Sequence, residues 1–202
     1  MPGTGGRGVA DLLVAAGGAR MILPLLAEPT RHPRDWPYRM AICGAYELRR
    51  GFLAGAGTHI LGIQRRNMPF GEPLLTRDRH LILEFDDVTD PARPEAPSVA
   101  HLEAAMAFVD NLPEEAALVI HCMQGVSRST ALALGLLARE VPPLRAGHLL
   151  HSLRPSACPN PLLVRLWDDL LGLRGELVQV AERFPTVVWR KDGCEPLHRR
   201  LA

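Results

Sequence analysis

The sequence predicts one α/β domain. Its core is a central, mostly parallel sheet of about four to five strands, flanked by helices. Three observations carry this. From Tyr38 onward, short apolar runs alternate with stretches of helical spacing. The apolar run Ala116 to Ile120 leads through a compact polar loop into the apolar stretch Ala131 to Ala138, which reads as strand, loop and helix. No internal repeat and no linker-like segment interrupts the chain after Tyr38. A chain of 202 residues is long enough for one well-packed core and short for two.

The elements follow in order. Residues 1–37 form an N-terminal extension, Gly-rich at its start and expected to be partly disordered, with prolines at 29, 33 and 37. Met21 is an alternative start that the sequence leaves open. Residues 38–184 form the predicted domain, and 185–202 a C-terminal tail in which Thr186 to Trp189 could be a strand. Arg39 to Cys43 reads as the first strand. Ala45 to Leu53 reads as a helix, stopped by Gly55 and Gly57. Thr58 to Ile63 and His80 to Phe85 read as strands, with a loop from Gln64 to Thr76 between them. Asp86 to Pro97, rich in acids and prolines, reads as a mobile loop. Ser98 is the N-cap of a helix to about Leu112, whose apolar positions Val99, Leu102, Ala105, Met106 and Val109 keep helical spacing. Helices follow at about Ser129 to Glu140, Leu144 to Leu153 and Pro161 to Phe184, the last broken near Gly172 or Gly175.

Composition removes several function classes. Basic and acidic residues number 23 and 22, so no global charge draws the chain to nucleic acid or an anionic membrane. The apolar stretches fall short of a membrane span. At the N-terminus, Asp11, Gly17-Gly18 and Arg20 interrupt the pattern of a signal peptide. Cysteines 43, 122, 158 and 194 form no Cys-x-x-Cys pair and no metal-binding spacing, which fits a reduced, cytoplasmic setting. A pairing of Cys158 with Cys194 stays open.

Function therefore rests on the stretch His121-Cys122-Met123-Gln124-Gly125-Val126-Ser127-Arg128-Ser129-Thr130. A tight loop between a strand and a helix can turn the backbone N–H groups of Met123 to Arg128 inward, at the positive end of the helix. Arg128 can clamp two oxygens of a tetrahedral dianion. Cys122 then sits in a field that favours thiolate over thiol. Against this stands the commoner fate of a lone cysteine, a place in the core.

His-Cys-x5-Arg-Ser resembles the signature of cysteine-dependent protein phosphatases, and the string VIHCMQGVSRST is similar to the dual-specificity branch. Two further segments agree: Phe85-Asp86-Asp87-Val88 before the loop, and Arg154-Pro155-Ser156-Ala157-Cys158-Pro159-Asn160 after it. From Tyr38 to about Leu177 the chain also resembles a bacterial group of predicted tyrosine phosphatases carrying I-C-G-x-Y-E-L, T-H-x-L-x-I and F-x-D-[IV] stretches in this order. The resemblance implies a dual-specificity phosphatase-like fold and two-step hydrolysis of phosphomonoesters without metal or other cofactor.

In that scheme Cys122 is the nucleophile, and Arg128 binds the phosphoryl oxygens. Ser129 hydrogen-bonds the sulfur when it leaves. Met123, Gln124, Gly125, Val126 and Ser127 supply the phosphate-binding loop. His121 fixes the loop and supports the thiolate through a hydrogen-bond network, or is a satisfied core histidine. Asn160 tethers the catalytic loop or caps the helix at Pro161. The general acid is Asp87 by alignment, with Asp90 the alternative and Asp86 a third carboxylate in reach; at least one of them serves only a turn. The substrate is a phosphorylated protein, or else a small phosphomonoester such as a phosphoinositide, nucleotide or RNA 5′ phosphate. Lipid-directed relatives usually carry lysines within the loop. None stands at 123–127, although Arg65 and Arg66 could reach a rim. A non-catalytic phosphate-binding module is a third reading, disfavoured because Cys122, Arg128 and an acid are all present. A sulfur-transferase reading needs a shorter loop.

Overall fold

The computed structural model describes residues 39–51, 57–71, 73–114, 116–190 and 193–197. The expectations for residues 1–37, for the glycine at 55 and for a bond between Cys158 and Cys194 fall outside what it describes.

Four parallel strands form the sheet: β1 (Arg39–Gly44), β2 (Thr58–Gln64), β3 (His80–Glu84) and β4 (Ala117–Cys122), in the order β1-β4-β2-β3. Being parallel, they all end at one edge. β4 is sandwiched between β1 and β2, with Gly44 opposite Cys122 on one side and Gly62 opposite His121 on the other. Cys122 therefore leaves the sheet at its centre, in the crevice outside the strands' carboxyl ends where open α/β sheets bind ligands.

Both faces are covered, as expected for parallel strands. Met40, Ile42, Leu61, Ile63, Leu118, Ile120 and Cys122 face the larger core. There α2 (Val99–Asp110), α3 (Arg128–Glu140), α4 (Pro143–Leu153), α5 (Pro161–Leu171) and α6 (Glu176–Ala181) contribute their apolar sides. Ala41, Cys43, Ile60 and Val119 face a smaller cluster closed by Leu48 of α1 (Ala45–Gly51). α3 is buried along its length from Arg128 to Ala138, which is why its sequence is apolar on every side.

Local rules set the boundaries. The Ser98 N–H donates to His101 Nδ1 at 3.0 Å at the head of α2. The expected break in 161–184 falls at both glycines: Gly172, in the left-handed region, ends α5, and α6 begins after Gly175. The buried Asp168 carboxylate accepts from Gly175 N (2.6 Å), Leu177 N (2.8 Å) and Val178 N (3.3 Å), which caps α6. The tail forms more than one strand: β5 (Thr186–Arg190) pairs antiparallel with β6 (Gly193–Leu197) in a separate hairpin. No helix among the described residues is long and apolar enough to cross a membrane.

Candidate active site

β4 delivers Cys122 to the sheet edge, buried at 2% exposure, and α3 begins at Arg128. The five residues between them form a cradle. Its construction is legible in what holds the carbonyls. Met123 O accepts from Ala45 N (3.1 Å), Gln124 O from Arg154 Nη2 (3.3 Å) and Gly125 O from Arg154 Nε (3.0 Å). Val126 O accepts from Cys158 N (2.8 Å), and Ser127 O from Asn160 N (3.3 Å) and Thr130 Oγ1 (2.9 Å). In a trans peptide the N–H points opposite to the C=O of the same plane. Five carbonyls pinned from outside therefore turn the next five N–H groups, Gln124 to Arg128, toward the loop's interior, as an anion-binding nest requires.

One of these amides shows its target. Gly125 N donates to Cys122 Sγ at 3.2 Å. Gly125 has φ +70, and a Cβ there would lie 2.3 Å from the carbonyl carbon of Cys43, so only glycine closes the loop against β1. Ser129 Oγ lies 3.3 Å from the same sulfur. The sulfur thus has two polar neighbours at the base of the loop.

Arg128 is 5% exposed. Its Nη1 donates to Phe85 O at 2.9 Å, while its Nε has no partner among the described residues. No carboxylate among them forms an ion pair with it. A buried guanidinium without a counter-charge is costly, and an anion in the adjoining cradle would relieve that cost.

The three candidate acids separate cleanly. Asp87 Oδ1 accepts from Ser127 Oγ and from Asn160 Nδ2, each at 2.7 Å, so this carboxylate is joined to the loop itself. Asp86 pairs with Arg65 at 2.7 Å. Asp90 is exposed, and its Oδ1 accepts from Ala92 N at 2.9 Å, the geometry of a turn carboxylate. The segment 86–97 is a loop, as expected, but it is tethered: Asp86 N donates to Glu95 O, Asn160 Nδ2 to Val88 O and Arg165 Nη2 to Thr89 O.

Asn160 N–H donates to Ser127 O of the loop, and its side chain makes two further sets of contacts. Its Oδ1 accepts from Leu162 N and Leu163 N, both at 3.0 Å, capping α5, while its Nδ2 holds Asp87. His121 is a correction. Neighbours on a strand point to opposite faces, so the imidazole lies on the far side of the sheet from Sγ, against Phe70 and His80. Both of its ring nitrogens are buried without a hydrogen-bond partner among the described residues, so it is not a satisfied core histidine either, and burial with the charge of His80 lowers it to about 4. A neutral ring on the opposite face does not support a thiolate through a hydrogen-bond network. On that same face, burial and the nearby Glu47 push the Cys43 thiol up to about 12.

Met123 and Gln124 expose their side chains beside the cradle, and the described loop side chains 123–127 carry no charge. Arg65 is committed to Asp86, and Arg66 lies 4.0 Å from Glu84. Sequence reasoning missed Arg154 and Glu47. Arg154 was visible in the segment that ends at Asn160, but only Asn160 was singled out there. Among the described residues no three His, Cys, Asp or Glu side chains converge as a metal site.

No protein-family model matches the sequence, and no curated protein is similar enough to count as a match. Solved structures are similar at low identity. Human DUSP28 is 22% identical, with a TM-score of 0.47, over 73% of this chain and 99% of that one. The Yvh1 phosphatase domain from Chaetomium thermophilum is 18% identical, with a TM-score of 0.48, over 71% of this chain and 95% of that one. The PTP-2 phosphatase of Cydia pomonella is 14% identical, with a TM-score of 0.46, over 81% of this chain and 94% of that one.

Proposed function

We propose that this chain is a cysteine-dependent phosphoric monoester hydrolase. Its substrate would be phosphotyrosine in proteins, with phosphoserine and phosphothreonine as further substrates. One observation carries the reading. A buried sulfur accepts an amide N–H from a loop of outward-pinned carbonyls, next to a buried guanidinium whose Nε has no partner among the described residues.

In the first step the substrate's phosphoryl oxygens take the inward amides of residues 124–128 and the Arg128 guanidinium. The Cys122 thiolate attacks phosphorus, and an S–P bond forms as the P–O bond to the leaving group breaks. Asp87 gives its proton to the departing phenolate or alkoxide. In the second step Asp87 takes a proton from a water that attacks the phosphocysteine. The S–P bond breaks, inorganic phosphate leaves, and Ser129 Oγ stabilises the returning thiolate. Met123 to Ser127 act through their backbone, and Asn160 holds the acid. The proposed setting is the cytoplasm, where a thiol nucleophile stays reduced. The sequence resemblance to bacterial tyrosine phosphatases belongs to this same reading.

A phosphoinositide, nucleotide or RNA 5′ phosphate substrate finds less support. The loop side chains are uncharged, and Arg65 is already paired with Asp86. The test is phosphate release from an aryl phosphate and from a panel of phosphotyrosine, phosphoserine and phosphothreonine peptides. Cys122→Ser should abolish it, Arg128→Lys should reduce it strongly, and a chelator should leave it unchanged. Full activity in the serine variant overturns the mechanism.

A further inference from the structure

We infer that Arg154, held in place by Glu47, is a positioning residue that sets the oxyanion affinity of the loop from outside. The inference rests on the hydrolase reading above. Two peptide planes carry it. Gln124 O and Gly125 N belong to one plane. Arg154 Nη2 holds that carbonyl on the outside, and the same plane's N–H meets Cys122 Sγ on the inside. Gly125 O and Val126 N belong to the next, and Arg154 Nε holds that carbonyl at 3.0 Å. One guanidinium thus orients two consecutive inward donors without touching the ligand.

Its own position is determined twice. Its backbone N–H donates to Leu150 O at 2.8 Å, at the end of α4. Its Nη1 and Nη2 both donate to Glu47 Oε1 at 3.2 Å, and Glu47 Oε2 is 3.0 Å from Nη2. The other duty of Glu47 Oε2 is to accept from Gly44 N at 2.6 Å, at the residue paired with Cys122 across the sheet. The first turn of α1, the end of α4 and the loop are therefore locked through one ion pair, in which the two side chains are only 17% and 29% exposed. Such a site wants arginine. A guanidinium presents donors in a planar fork that can reach two carbonyls and a carboxylate together, whereas an ammonium offers a single point.

The experiment compares Arg154→Met, Arg154→Lys and Glu47→Gln in the full chain, with Cys122→Ser as control. Each is measured for aryl phosphate turnover, for inhibition by inorganic phosphate, and for the pH dependence of Cys122 alkylation by iodoacetamide. Thermal unfolding checks the fold. Arg154→Met is expected to lower kcat by roughly 10–100-fold, short of the loss from deleting an oxyanion donor outright. Phosphate inhibition should weaken about tenfold on the same ground, since two donors lose their aim. Alkylation should shift to higher pH, because the Gly125 N–H no longer points steadily at the sulfur. Arg154→Lys should fall between Arg154→Met and wild type, and Glu47→Gln should follow it in the same direction. A folded Arg154→Met with wild-type kcat, phosphate inhibition and alkylation profile overturns the inference. If Arg154→Met does not fold, the same wild-type values in Arg154→Lys overturn it. Activity retained in Cys122→Ser defeats the hydrolase reading instead, so the two failures are distinguishable.

Discussion

Ser127 Oγ donates to Asp87 Oδ1 at 2.7 Å, so this carboxylate is bonded to a residue of the loop itself. Asp86 and Asp90 have other partners, Arg65 and Ala92 N. Asp87→Asn should slow turnover of alkyl and other poor leaving groups by about 10²–10⁴, the usual worth of a general acid, and should spare activated aryl esters. Asp90→Asn should leave both rates near wild type. Steady-state rates on a leaving-group series decide between them, and a loss confined to the Asp90 variant would remove Asp87 from the role.

Asn160 performs two tasks with opposite ends of one amide, and substitution tests both. Asn160→Ala loses the α5 cap and the Asp87 tether together. It should cost about 1 kcal/mol in urea unfolding and also reduce turnover. Asn160→Asp retains an oxygen that can accept from Leu162 N and Leu163 N, but it sets a second carboxylate against Asp87. It should unfold more easily than wild type at neutral pH, because two carboxylates then face each other in a buried site, and it should also lose turnover of poor leaving groups. If turnover in Asn160→Asp matches wild type, the tether has no part in acid catalysis.

These tests draw on contacts of unequal visibility in the sequence. The four strands were legible because a parallel strand buried on both faces reads as a continuous apolar run, as in Leu118 to Ile120. The cradle was legible because its determinants are contiguous: Gly125, Arg128 and Ser129 all lie within a few residues of Cys122. Asp87 was reached by alignment, but its separation from Asp90 needed the partners Ser127 and Asn160, which come from distant parts of the chain. Arg154 with Glu47 was not legible, because the end of α4 meets the start of α1 only in the folded chain. The placement of His121 could have been read. Strand parity alone puts it on the face opposite Cys122, and the signature drew it toward the sulfur instead. The second strand of the hairpin, β6, was missed where Gly193 and Pro196 obscure the strand pattern.

Gly135 of α3 lies directly against Trp167 of α5. A Cβ built there would lie 2.1 Å from ring atoms of Trp167, a side chain that is fully buried. The indole is fully buried within the main core cluster, so it cannot swing away without disturbing that core. Gly135→Ala should therefore destabilise by about 1–3 kcal/mol, the range for overpacking, despite alanine's better helix propensity. Urea unfolding at neutral pH measures it. A gain in stability would mean that Trp167 has room the structure does not show.

His121 predicts how stability depends on pH. Burial, then the nearby charge of His80 and that of Arg49, lower its pKa from 6.5 to about 4. The folded protein therefore binds this proton less tightly than the unfolded chain does. Between pH 6.5 and 4 the unfolded chain takes up a proton that the folded state refuses, so stability falls as pH falls through that window; above 6.5 the group contributes no pH dependence. Going from pH 7 to pH 5, the loss attributable to His121 should be about 2 kcal/mol. His80, also lowered by burial, adds in the same direction. Urea midpoints at the two pH values should therefore separate clearly for wild type and less for His121→Gln, which lacks the titrating ring. An undiminished separation in that variant would assign the acid sensitivity to other groups and show that protonating His121 costs the fold little.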